Sequence, residues 1–401
     1  MIDTAMIFRR LVLVTSAFLV GLALVVAAAI AAAFADVAFD FKRRETETIL
    51  SNQAASPNVE IRIGGSKIPD SDFLSHAVDR DMFQPDTSQI VLSNQGDIYS
   101  STKLGDSVEI KVGDQATSIY QGEVTGLEPI YAGGERTRII IRAMNRFHRL
   151  LRGTKSVTFQ DKTDPQILQQ VITEAGLHLV WRHESSITYK HVYQHNQSGM
   201  EFLRTRAARA GCHVWCVGTT LYCVQPDLQS APIATLDVDE SQSAGSLRSF
   251  KPRLDSSQAL TKMTVKGWDP DAKALITGEA WAQPSPMGEA NASSSSGWFG
   301  ANEAFISDLP VCSKEEADMI AKAALQDRLL RYVTGEATCT GDPHFDLGAI
   351  VQINANGAKR SDTFNGRYYI MGITHRHIAS SVSDGGYATT LRLARDAQGR
   401  G

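Results

Sequence analysis

Short alternating strands, glycine-marked turns and three helices with clear starts predict an α+β, β-dominated fold. The expected architecture is two small β-barrel domains with a helix-containing insert, preceded by an N-terminal apolar helix. The first observation behind it is residues 59–63 (VEIRI), whose strict alternation marks a strand with one buried face. Gly64-Gly65 turns that strand, and further strands are expected at 73–78, 87–92, 107–112, 119–124, 127–131 and 137–143. Regular glycine turns between short strands point to a closed barrel, which leaves no open edge. The second observation is the pair of capped helices in the middle of the chain. The third is residues 260–268 (LTKMTVKGW), which alternate again and begin a second barrel.

The domains follow from these elements: 1–44 an apolar segment with basic flanks, 45–57 a polar linker, 58–145 the first barrel, 146–257 the α/β insert, and 258–401 the second barrel. The last contains a loop at 282–305, low in complexity and flexible around Ser293–Ser296, and a helix at 313–332. That helix opens on a capping box, Ser313 with Glu316, and buries Ala317, Ile320, Ala321, Ala324, Leu325 and Leu329. Closing strands are expected at 335–340, 349–353, 366–377 and 388–393.

Composition narrows the function. A chain of 401 residues exceeds one ordinary core. A net charge of −4 gives no general pull towards nucleic acid, and no nucleic-acid-binding signature is present. Five cysteines, Cys212, Cys216, Cys223, Cys312 and Cys339, form an odd set that reads as buried reduced thiols. Cys212, Cys216 and Cys223 cluster beside His213, but the context VWCVGTTLYCV reads as small hydrophobes in a hairpin rather than a zinc knuckle. His375 and His377 alternate on one strand without a third ligand at a supporting spacing. Asp106 and Asp114 sit beside glycines and read as turn residues.

The N-terminus is the sharpest break. Residues 11–35 carry no charge and are long enough to cross a bilayer as a helix through Leu11, Phe18, Leu22, Val26, Ile30 and Phe34. Arg9 and Arg10 before it and Lys42, Arg43 and Arg44 after it leave the orientation undecided. A cleaved signal ending at Ala33-Phe34-Ala35, or a start codon placed too early, are the other two readings.

Residues 139–226 organise the rest. An apolar strand ends in the basic segment containing Arg146, Arg149 and Arg152. A helix opens at Thr163-Asp164-Pro165, buries Ile167, Leu168, Val171 and Ile172, and stops at Gly176. A second opens on Ser198 with Glu201, buries Met200, Phe202, Leu203, Ala207 and Ala210, and stops at Gly211. Arg204, Arg206 and Arg209 take its remaining surface, and a hairpin follows. This order, with Gln194, Asn196, Ser198, Phe202, Leu203, Arg206, Ala208 and Gly211 at its centre, resembles the phage late control protein D family. Gly122, Val124, Pro129, Arg146, Arg149, Leu150, Arg152 and Gly153 extend the likeness, which covers roughly residues 59–395.

That family comprises tail or baseplate hubs of contractile phages, and the hub half of VgrG in type VI secretion is related to it. The resemblance implies a homotrimer whose two barrels per subunit form a pseudo-six-fold ring joining a tail tube to a spike. It implies partners among spike, tube and baseplate proteins, and a place in the virion tail or injection-particle baseplate. The apolar stretch 11–35, which is unusual for a hub, separately points to inner-membrane association. Arg146, Arg149 and Arg152, with Trp298 and Phe299 in the loop, are the expected subunit or partner contacts. No nucleophile elbow, phosphate loop, HExxH or dinucleotide fingerprint appears, so neither an enzymatic activity nor a cofactor is expected. A membrane-anchored scaffold using a hub-like fold, or a hydrolase without a linear motif, are the alternatives.

Overall fold

The computed structural model describes residues 57–131, 137–183, 187–238, 246–269, 272–295, 302–355, 363–380, 382 and 386–399. The apolar stretch with Leu11, Phe18, Leu22, Val26, Ile30 and Phe34 lies outside them, as do Trp298 and Phe299. Among the described residues no helix is long and apolar enough to cross a membrane.

The chain opens with β1 (Val59–Ile63), β2 (Ser66–Lys67), β3 (Phe73–Asp81), β4 (Thr87–Ser93), β5 (Ser107–Val112), β6 (Thr117–Ile130) and β7 (Arg138–Met144). They pair antiparallel in the order β3-β4-β7-β6-β5-β1-β2. Alternation buries Ile61, Val78, Ile90, Leu92, Ile110 and Ile141 on one face. The two strands expected at 119–124 and 127–131 are one, β6, bent by a bulge between Val124 and Gly126.

The insert carries β8 (Lys155–Thr163), α1 (Asp164–Thr173), β9 (His178–Arg182), β10 (Thr188–Gln197), α2 (Gly199–Arg209), β11 (His213–Val217) and β12 (Thr220–Val224). β8 pairs with β10, and β12 lies between β11 and β9. Strands β8 and β10 escape a reading by periodicity because they are polar ribbons. Phe159, Tyr189 and Val192 are the buried apolar residues that pack them on Phe202 of α2.

The last part comprises β13 (Ala234–Asp237), β14 (Leu247–Leu254), β15 (Lys262–Asp269), β16 (Ala274–Trp281), β17 (Ala290–Asn291), α3 (Ala292–Ser295) and β18 (Glu303–Ile306). It continues through α4 (Lys314–Leu330), β19 (Val333–Thr340), β20 (Ile350–Asn354), β21 (Gly366–Ile378), β22 (Gly386–Arg395) and β23 (Ala397–Gln398). Part of the loop expected at 282–305 is therefore regular, because β17 finds a backbone partner in β23 through Ala290–Gln398 and Asn291–Ala397. Helix α4 lies directly on β16, where a side chain at Gly278 would run into the backbone of Ala317.

The two closed barrels are not seen. β3, an edge of the first strand set, pairs with β21 of the second, so both sets belong to one 13-stranded sheet. Among the described residues neither set closes by a ladder. A single bridge, Val238 to Leu247, joins the ends of β13 and β14. Local alternation shows which face of a strand is buried, but not which neighbour takes its edge. A second correction concerns the thiols: Cys212, Cys216, Cys223 and Cys339 are buried, but Cys312 is exposed.

Three histidines lie buried at the junction of the sets. His76 on β3 is the cross-strand partner of His377 on β21, and their ring centroids are 5.5 Å apart. His375 meets the Tyr387 hydroxyl at 2.8 Å and Thr389 Oγ1 at 3.1 Å. Phe73 and Tyr387 complete the box, stacked tilted and edge-on against His377. Burial pushes His375 down to about 3, with Arg80 adding to it, and His377 to about 4, and holds His76 well below its usual range.

In the unfolded chain histidine titrates near 6.5, so on acidification the unfolded state takes up protons that the fold refuses. Stability should therefore fall as pH drops from about 6.5 towards the range of about 3 to 4. From about pH 7.5 to about pH 5 the loss is about 2 kcal/mol per histidine. His76 has no hydrogen-bond partner on either ring nitrogen among the described residues, so His76→Phe is expected to reduce that pH dependence. Urea titrations at the two pH values measure it, and an unchanged pH dependence would refute this account.

Candidate assembly surfaces

The basic segment after β7 winds into a 3₁₀ turn, Arg146–Leu151, that buries Phe147, His148 and Leu150. Its arginines converge on Glu123 of β6. Arg149 donates through Nη2 at 2.7 Å and Nε at 3.0 Å, and Arg146 Nε stands 3.4 Å away. Burial would raise the Glu123 carboxyl, yet Arg149 and Arg146 hold it below the usual range. His148, beside Glu123 at 3.4 Å, is pushed down by burial. Thus the structure brings Arg146 and Arg149 together inside the chain. Arg152 is exposed, with no ion-pair partner within 4 Å among the described residues.

Two arginines read as surface groups on α2 are buried. Arg206 Nε donates to Asp164 at 2.6 Å, the Tyr189 hydroxyl donates to the same carboxylate at 3.1 Å, and the guanidinium lies 4.3 Å from the Tyr189 ring. Arg209 pairs with Glu316 of α4 and donates to the Pro310 carbonyl at 2.8 Å. Glu316 also accepts from the Cys312 amide at 2.8 Å. The Ser313–Glu316 spacing signals a helix cap, and Ser313 Oγ does accept from the Glu316 amide at 3.1 Å. That motif hides the second role of Glu316, which clamps the insert to α4. Gly211 completes the clamp: its φ of +65° suits glycine, and an added Cβ would stand 3.0 Å from Ala323.

Beyond the clamp, α2, α4 and β18 enclose a groove of about 880 Å³. A smaller recess of about 350 Å³ is lined by Arg80, Asp86, Tyr120, Trp215 and Tyr222. Burial pushes Asp86 up to about 7 against the pull of Arg80 at 3.7 Å. The outer face of the β16-β15-β18 sheet exposes more than half of Trp268, Leu275, Trp281 and Phe305. Among the described residues no three His, Cys, Asp or Glu side chains stand where they could hold a metal ion. These features are grooves, clamps and apolar faces, and they are suited to contact.

A family profile described as the Alg8 N-terminal domain (Alg8_N) matches residues 51–379. The chain belongs to this family. The matching family is thus not the late control protein D family that the sequence pattern resembles. No curated protein matches the chain. Solved structures share the fold of this Alg8_N member. A tail protein from Neisseria meningitidis MC58 is 14% identical, with a TM-score of 0.64 over 85% of this chain and 97% of that one. The prophage MuSo2 43 kDa tail protein from Shewanella oneidensis is 14% identical, with a TM-score of 0.62 over 86% and 100%. The E. coli c3393 protein, a component of the type VI secretion system, is 12% identical, with a TM-score of 0.57 over 83% and 76%. The fold is therefore that of a tail protein, a prophage tail protein and a type VI secretion component.

The clamp has a measurable weight. Arg209→Ala leaves the Glu316 carboxylate buried without its cation and is expected to cost about 3–5 kcal/mol in denaturant unfolding. Joint replacement, Arg209→Met with Glu316→Leu, should recover more than half of that loss. If the joint variant is no more stable than the single one, the ion pair is not what Arg209 contributes.

Proposed function

We propose that the chain is a non-catalytic structural component of a contractile tail or related injection apparatus: a trimeric adaptor between tail tube and spike, located in the tail or baseplate. The observation that carries this reading is the extent of the fold likeness. It takes in 85–86% of this chain together with 97–100% of two tail proteins, one of them from a prophage, rather than one shared subdomain. Two strand sets per chain would place six sets in a trimer, which is what a three-fold to six-fold junction requires. The grooves and apolar faces of the described residues are suited to contact. Arg152, exposed and without an ion-pair partner among the described residues, is proposed as a subunit contact, with Trp298 and Phe299 as apolar anchors.

Mass photometry of the purified full chain is expected to show a trimer. Arg152→Glu should raise the subunit dissociation constant about tenfold. A wild-type chain that stays monomeric at micromolar concentration would overturn the adaptor reading.

The uncharged stretch 11–35 favours a second reading, a membrane-tethered scaffold with the same fold. Retention of the full chain on membranes through carbonate washing supports it, and release argues against it.

A further inference from the structure

The groove between α2, α4 and β18 carries an inference beyond the adaptor reading, since it would take a ligand whether or not the chain forms a ring. β18 is a sheet edge. It pairs in parallel with β15 from Lys262–Glu303 to Val265–Ile306, and among the described residues no strand takes its other side. Three consecutive residues of it, Ala304, Phe305 and Ile306, line the groove. Side chains alternate along a strand, so three in a row bring the backbone itself to the groove wall. An unpaired edge of this kind readily accepts an extended chain.

The floor is apolar. Ile320, Ala323 and Ala324 recur at helical spacing on α4, and Phe83 lies beside them. The rim is cationic once existing contacts are counted. Glu201 is held by the α2 cap, accepting from the Ser198 amide at 2.8 Å. Asp327 is held by Arg331 at 3.1 Å, and Arg209 by Glu316. Arg204 on α2 and Arg328 on α4 are exposed and have no ion-pair partner within 4 Å among the described residues.

We propose that this groove binds an extended acidic segment of a partner protein, one that alternates carboxylate and apolar side chains. The segment adds to β18 as a strand, sets its apolar side chains on the α4 floor and turns its carboxylates to Arg204 and Arg328. A helix would use the floor but leave the β18 edge unpaired, so an extended chain satisfies both features.

The test is fluorescence anisotropy on the full chain with a labelled peptide of alternating aspartate and valine, against an alternating lysine–valine control. The acidic peptide should bind at least about tenfold tighter than the control, and Arg204→Glu with Arg328→Glu should weaken it about tenfold. Both arginines are exposed, so the variant should keep the wild-type melting curve. The same peptide N-methylated at alternate amides keeps its side chains but cannot pair with the strand edge, and it should lose binding. Equal binding of acidic and basic peptides, indifference to the charge reversal, or full binding of the N-methylated peptide would each overturn the proposal. Oligomeric state is read separately, so a monomer that binds the peptide refutes the adaptor and leaves the groove standing.

Discussion

Residues Ser75 to Asp81 of β3 run antiparallel against Gly372–Ile378 of β21, and among the described residues this ladder alone joins the two strand sets into one sheet. Its consequences extend past the sheet. Immediately after β3, the Met82 amide donates to Met371 at 3.2 Å and the Phe83 amide to Val214 of β11 at 2.7 Å, so the same strand end also holds the insert. There the Phe83 ring packs edge-on against His213, whose Nδ1 meets the Tyr369 hydroxyl of β21 at 3.1 Å. First strand set, insert and second strand set therefore meet at one buried polar contact. Burial outweighs the opposing pull of Asp327 and pushes His213 down to about 4, so the contact is made by a neutral ring.

Burial of charge organises the insert as burial of imidazole organises the seam. Arg206 pairs within the insert with Asp164 and lies over the Tyr189 ring, whereas Arg209 reaches across to Glu316. Neither pair is a strong source of stability, because desolvation offsets most of the attraction. What such pairs enforce is placement: α2 cannot shift along α4 without stranding a charge. That fixed placement, with Gly211 against Ala323, sets the width of the groove whose far wall is β18. Clamp and groove are two consequences of one helix contact.

Much of the element order was legible. The caps at Thr163 and Ser198, the stops at Gly176 and Gly211 and the strand 59–63 all appear where local chemistry places them, because capping and alternation act over a few residues. The polar ribbons β8 and β10 were not legible, since their buried residues are too few to stand out from the surrounding lysines and histidines. The arginines of the basic segment and of α2 looked alike in sequence. Arg146 and Arg149 turn to Glu123, Arg206 and Arg209 go inward, and Arg152 and Arg204 stay out. Those choices depend on carboxylates from other elements.

By itself the sequence determined a β-rich chain with a capped helical insert and no local catalytic motif, because periodicity, caps and motifs are short-range properties. Only the tertiary structure decided that the strand sets share a sheet, that His76 joins His375 and His377, and that α2 and β18 face each other across a groove. Every strand edge offers the same amides and carbonyls, so the choice of neighbour rests on what the whole chain buries together. Arg209 and Glu316, far apart in the chain and each ordinary in its own stretch, become partners only when the helices that carry them pack.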